Sequence, residues 1–166
     1  MAADLEKLCR LFLAHEIQFI VIGGQAGMLH GLARVTYDTD LVYARNPENH
    51  ARLVRALAPH HPYLRGAPPG LPFRLDEPTL RHGLNFTLTT DLGPLDLFGE
   101  VAGGGSYEEL LPFTLELTAW EVGFRCVNLG KLIQLKRAAG RVKDFETIGD
   151  LEALREERAK LQPPSA

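Results

Sequence analysis

The stretch at 17–24, IQFIVIGG, constrains this chain more than any other. It is apolar, rich in β-branched residues and short, which suits a buried strand ending at a glycine turn. GQAGMLHGLA (24–33) then reads as a short helix, so the chain turns from strand into helix at Gly23-Gly24. The rest of the sequence supplies partners for that strand. Residues 4–15 place Leu5, Leu8, Cys9, Phe12 and Leu13 at the spacing of one helical face. TYDTDLVYA (36–44) alternates Tyr37, Thr39 and Leu41 against Asp38, Asp40 and Val42, which predicts a strand. PENHARLVRALA (47–58) predicts a helix with Pro47 in its first turn.

Further along, 59–82 is loop-like, with HHP, GAPPG and LP, and carries a brief strand near 73–75. LNFTLTTDLGPLDLFGEV (84–101) predicts a hairpin turning at Asp91-Leu92-Gly93. Ser106 lies three residues before Glu109, a capping box that opens a short helix. Two strand candidates follow at 113–120 and 123–129, then helices at 131–140 and 144–161 separated by Gly140. Strands and helices intermix without repeats or long linkers, so the expectation is one domain over 1–162 with a frayed tail at 163–166.

Composition excludes several classes. A length of 166 residues and a hydrophobic fraction of 45% suffice for a core without disulfides or structural metal. Net charge is −3, so no global charge marks a nucleic-acid or membrane binder. Cys9 and Cys126 lie far apart and form no CxxC pair; both read as reduced, buried thiols of a cytoplasmic protein. The N-terminal residues lack the basic-then-apolar order of a signal peptide, and no apolar run is long enough to span a bilayer. Neither Ser106 nor Ser165 sits in a G-x-S-x-G turn, which argues against a serine hydrolase. No Walker A loop or G-x-G-x-x-G is present, and His15-Glu16 lacks the second histidine of a zinc motif.

What remains is a set of acids and bases. In a strand, residues i and i+2 share a face, so Asp38 and Asp40 stand side by side while Thr39 points to the core. Two carboxylates that close repel unless a cation lies between them, and hard oxygen ligands suit Mg²⁺ or Mn²⁺. Asp96, between Leu95 and Leu97, adds a third acid if its strand lies beside that of Asp38 and Asp40. Three acids support two cations, the arrangement that clamps attacking and leaving oxygens of an in-line displacement.

Glycines at 23 and 24 let backbone approach a ligand, and the N–H groups of a helix start favour phosphate. Between Arg125 and Lys143 there are six basic residues and no acidic one, a local excess that would draw a triphosphate. Lys136, Arg141 and Lys143 are the functional candidates among them. Lys131 and Arg137 read as ordinary helix residues, and Asp144 as the N-cap of the last helix. His60-His61 read as surface residues and Trp120 as a core or strand-pairing aromatic.

Gly23-Gly24, the stretch Arg34-Val35-Thr36-Tyr37-Asp38-Thr39-Asp40, and Asp96 together resemble the polymerase-β-type nucleotidyltransferase superfamily. The stretch 136–144, KRAAGRVKD, is similar to a closing motif of its bacterial branch, which includes the AbiEii-like toxins and the minimal nucleotidyltransferases. The resemblance implies an α/β (α+β) fold, a mixed sheet with helices mainly on one face. It implies Mg²⁺ or Mn²⁺ on Asp38, Asp40 and Asp96, and a nucleoside triphosphate held by Gly23, Gly24, Arg34, Lys136, Arg141, Lys143 and Asp144. It further implies transfer of a nucleotide to an acceptor hydroxyl, on RNA or protein, in a toxin–antitoxin-like setting. The alternative is a subunit of the same fold that binds a partner protein and turns over weakly. Family members often have Gly-Ser where this chain has Gly24-Gln25, and toxin-like members carry a further helical domain where only about 20 residues follow Asp144.

Overall fold

The computed structural model describes residues 3–162. The expected apolar strand is present as β1 (Phe19–Ile22), an interior strand all four residues of which are buried. Helix α1 (Leu5–Ala14) precedes it, capped by the Asp4 side chain on the Lys7 N–H. Helix α2 (Gly23–Leu29) follows it directly, and β2 (Thr39–Tyr43) returns antiparallel to β1. Helix α3 (Pro47–Leu57) starts as expected, with Pro47 in its first turn and Asn46 capping the Asn49 N–H.

The region 59–82 differs from the sequence-based expectation. It contains an edge strand, β3 (Tyr63–Leu64), and a short helix, α4 (Glu77–His82), but no strand near 73–75. Helix α4 is capped by Asp76 on the Thr79 N–H, and its six residues bury only Leu80. So short a segment shows no helical periodicity, which is why the prolines dominated the reading.

The 84–101 hairpin is present as β4 (Asn85–Thr89) and β5 (Leu95–Phe98), running on into β6 (Glu100–Val101), which pairs with β7 (Gly105–Ser106). The Ser106–Glu109 capping box opens α5 (Tyr107–Leu110). β8 (Thr114–Ala119) and β9 (Val122–Val127) form a second hairpin, and α6 (Leu129–Ala139) and α7 (Asp144–Leu161) complete the chain. Trp120 is neither core nor strand-pairing: it sits at φ +52° in the β8–β9 turn, 38% exposed, and stacks on Phe124.

The sheet order is β3-β4-β5-β2-β1-β9-β8, mixed because β1–β9 and β2–β5 are parallel and the other pairs antiparallel. Register assigns the two faces. Phe19, Val21, Leu41, Tyr43, Leu95, Leu97, Phe86 and Leu88 share the apolar face, all buried. Helices α1 and α3 cover that face: Phe12 meets Phe19 edge-to-face at 5.3 Å, and Asn49 donates to the Gln18 and Ala44 carbonyls. Burying one such leucine contributes roughly 1.5–3 kcal/mol. Cys9 and Cys126 are buried free thiols, each pushed up to about 12 by burial.

Helices α2, α6 and α7 pack on one another as a second group. His30, at the end of α2, ties it to β9 and α7. Its Nε2 donates to the Val127 carbonyl at 2.8 Å, and Nδ1 lies 3.1 Å from the Arg158 guanidinium. Among the described residues no helix is long and apolar enough to cross a membrane. The tail at 163–166 lies outside the described residues.

Candidate active site

The face opposite the apolar one carries the acids. Ile22, Asp40, Asp96 and Thr87 are successive cross-strand partners, forming one row across β1, β2, β5 and β4. Asp40 and Asp96 are direct Cα partners in the parallel β2–β5 ladder, so backbone hydrogen bonding holds the two carboxyls side by side. Asp38 lies just before β2 and is more exposed, its side chain at 47%. Thr39 points to the core as expected, fully buried, with no hydrogen-bond partner for its Oγ1.

Burial is the first cause of an unusual Asp40: it raises the carboxyl from its ordinary 3.8 to about 7, and the nearby Asp96 and Asp38 charges push the same way. Asp96 is also raised by burial, against the pull of Arg65. One Asp40 oxygen, Oδ1, is buried without a hydrogen-bond partner.

Gly23 takes φ +68°, and a Cβ there would collide with the Asp40 carboxylate. A Cβ on Gly24 would come within 2.8 Å of the Thr36 side chain. The glycine pair is therefore demanded by the close approach of α2 to the acid row, as well as suiting a ligand-facing turn.

A cleft of about 500 Å³ opens beside these residues. Gly23, Gly24, Asp38, Asp40 and Asp96 line it together with Lys136, Arg141, Lys143, Asp144 and Arg34. The ten residues named from sequence thus all border one cavity. Their local partners differ from expectation in two places. Asp144 is the first residue of α7 rather than its cap; Lys143 occupies the cap position with no side-chain bond. Only 4% exposed, Asp144 instead accepts from Arg141 Nε at 2.8 Å and lies 3.7 Å from Lys136 Nζ. Arg34 is paired with α7 at Asp150 (2.7 Å) and Glu146 (3.1 Å). Lys131 and Arg137 keep the ordinary roles expected of them, over the Phe113 ring at 4.3 Å and paired with Glu152 respectively. His61 is a surface residue, paired with Asp91 at 2.6 Å.

Arg65 was not found from sequence. It follows β3, its backbone N–H bonds Thr87, and its guanidinium reaches Asp96 at 2.8 Å and Asp38 at 3.6 Å. A lone arginine in a proline- and glycine-rich stretch carried no signal. Only the pairing of β3 with β4 brings it to the end of the acid row.

In this arrangement no group of three acidic, histidine or cysteine side chains among the described residues is spaced to hold a metal ion. Arg65 draws on two of the three acids, which gives a physical reason. The donor chemistry nevertheless fits a hard divalent cation: carboxylate oxygens only, one of them buried and unpartnered.

Solved structures share this architecture. TM1012 of Thermotoga maritima, a protein assigned as a nucleotidyltransferase, matches with a TM-score of 0.54 over 93% of this chain and 96% of that one, at 14% identity. The lincomycin-bound lincosamide antibiotic adenylyltransferase LnuA matches with a TM-score of 0.61 over 93% of this chain and 99% of LnuA, at 12% identity. The fold is that of the nucleotidyltransferases. No family model matches the sequence, and no curated protein matches it. One cleft brings the acid row and the basic helix junction together, and the Lys136 charge acts on the Asp40 carboxyl.

Proposed function

We propose that this chain transfers a nucleotide from a nucleoside triphosphate to an acceptor hydroxyl. The observation that carries the reading is the pair Asp40–Asp96, fixed in register on adjacent parallel strands at a cleft that Lys136, Arg141 and Lys143 also line. Carboxylates beside a phosphate-binding wall are useless for gripping a polyanion unless a cation mediates. Asp38, Asp40 and Asp96 would hold Mg²⁺ or Mn²⁺, which when bound neutralises phosphate charge and acidifies a hydroxyl.

The chain's own residues do the rest. Lys136 and Arg141 attract the triphosphate, and Asp144, gripping both, keeps them aimed rather than free to wander. Lys143 adds positive charge to the lining, while Arg34 borders the cleft with its charge balanced by Asp150 and Glu146. Gly23 and Gly24 border the cleft at the start of α2, where backbone N–H groups would favour phosphate oxygens. Asp96 takes the proton of the acceptor hydroxyl as its oxygen bonds to the α-phosphorus and the bond to the bridging oxygen breaks, releasing pyrophosphate. Positioning and charge stabilisation supply the rate.

LnuA, of the same fold, is bound to the small molecule lincomycin, so a small-molecule hydroxyl joins the acceptor classes of this reading. The toxin-like branch named from sequence would instead have RNA or protein labelled. A second reading, a weakly active subunit that works through a partner protein, is favoured by Arg65, which already balances two of the acids. Pyrophosphate release separates the two. With Mg²⁺, each of the four triphosphates and a panel of hydroxyl compounds, RNA and protein acceptors, the enzyme releases pyrophosphate only when its acceptor is present. Triphosphate binding without pyrophosphate release under every condition would select the second reading.

A further inference from the structure

Arg65 stands on the far side of Asp96 from the basic wall and does not line the cleft. Its Nη2 donates to Asp96 Oδ1 at 2.8 Å and to the Leu88 carbonyl at 2.6 Å, and Nη1 lies 3.6 Å from Asp38 Oδ2. A single guanidinium therefore bridges Asp96 and Asp38, while Asp40 keeps one buried oxygen without a partner. Side-chain exposure at Arg65 is 27%, so these pairs are partly shielded and stronger than surface ion pairs.

The hold is incomplete. The Asp38 contact is long, and the buried Arg65 Nε has no hydrogen-bond partner. The next residue, Gly66, takes φ +80° with open space around its Cβ position, at the exit of an edge strand.

We infer that Arg65 is a resident counter-ion that competes with the divalent cation for Asp38 and Asp96, so that it sets the cation affinity of the site. This inference rests on the nucleotidyl-transfer reading for its purpose. In physical terms, a cation approaching the acids must displace a charge-assisted bond to Asp96 and repel a guanidinium from Asp38. Arg65 raises the cation concentration at which the acids are captured, and it compensates the Asp38 and Asp96 carboxylates until then. Arginine suits that role because it stays charged at every relevant pH and bridges two carboxylates from one planar group.

The test is titration with Mn²⁺ alone, followed by electron paramagnetic resonance, on wild type and on Arg65→Gln and Arg65→Lys, with thermal unfolding in chelator run beside it. Arg65→Gln should bind Mn²⁺ about tenfold more tightly than wild type, while melting lower in chelator. Arg65→Lys keeps a charge without the bridging fork and should fall between them. A merely structural arginine gives the opposite sign, since loosening the site weakens cation binding. Equal or weaker Mn²⁺ binding by Arg65→Gln with a cooperative melt overturns the inference. So does the absence of Mn²⁺ binding to all three proteins. If Arg65→Gln does not fold, the comparison of Arg65→Lys with wild type decides on the same signs. Failure of nucleotidyl transfer is read separately, as pyrophosphate release, and leaves the Mn²⁺ comparison standing.

Discussion

The acid row and the basic helix junction border one cleft, yet they are built in opposite ways. Asp40 and Asp96 sit in mid-sheet, their spacing fixed by a parallel ladder. Lys136, Arg141 and Lys143 sit where α6 ends and α7 begins, around Gly140 at φ +65°. No ladder spaces them; one buried carboxylate, Asp144, does so by holding Lys136 and Arg141. The difference teaches where precision is needed. Groups that touch reacting atoms tolerate little displacement, whereas cations that attract a triphosphate act over several ångströms and tolerate a hinge.

Substitutions on the two sides should therefore fail differently. Asp96→Asn keeps the shape of the acid row and removes the charge that takes the proton. Pyrophosphate release should fall by about 10²–10⁴-fold, with triphosphate affinity in calorimetry changed far less. A parallel loss of affinity would mean that the two sides are not separable.

Lys136→Ala should show the reverse pattern. The Lys136 side chain is 12% exposed, and its loss should weaken triphosphate binding about tenfold, with a shallower salt dependence and a smaller effect at saturation. An unchanged affinity would remove the basic wall from the account.

Asp40 gives a smaller effect, on stability. Folded Asp40 keeps its proton up to about pH 7, whereas the unfolded chain releases it near 3.8, so the folded state binds more protons between those values. That contribution is full below pH 3.8 and is lost as pH rises through 7. In chelator at pH 8, Asp40→Asn should melt roughly 2–8 °C higher than wild type, and the gap should close toward pH 4. A lower melting temperature at pH 8 would show that the negative charge is welcome there.

Across the helix group the sign reverses at His30. Burial lowers its pKa, followed by the opposing effect of its Val127 bond and the repulsion of Arg158. Stability from neutral His30 is present above 6.5 and is lost as pH falls below it. Urea unfolding of His30→Gln should therefore show a flatter acid limb than wild type, the smallest of these effects.

Much of the acid side was legible in the sequence, and the reasons are specific. Alternation around Asp38-Thr39-Asp40 put Thr39 in the core and both acids on the other side, because a strand has a period of two. Asp96 was legible as the third acid because apolar Leu95 and Leu97 flank it and face the core. The edge of the sheet was not legible. β3 has two residues and α4 six, too few for either periodicity to show, so Arg65 stayed hidden in what read as loop. Asp144 was found as a residue but misread as a cap, since a carboxylate at a helix start can serve the backbone or a neighbouring cation. The sequence does not say which. Trp120 was misplaced because a large aromatic between two strands ordinarily packs inward, and here it takes a left-handed turn position.

The central claim is that the α-phosphorus is attacked and a nucleotide moves. Incubating the protein with Mg²⁺ and small-molecule, RNA and protein acceptors tests it, using each triphosphate labelled once at the α- and once at the γ-position. The expected result is acceptor carrying the α-label, with the γ-label leaving as pyrophosphate and both signals lost in Asp96→Asn. Label reaching acceptor from the γ-position, orthophosphate as the product, or α-label reaching no acceptor in any extract would contradict it.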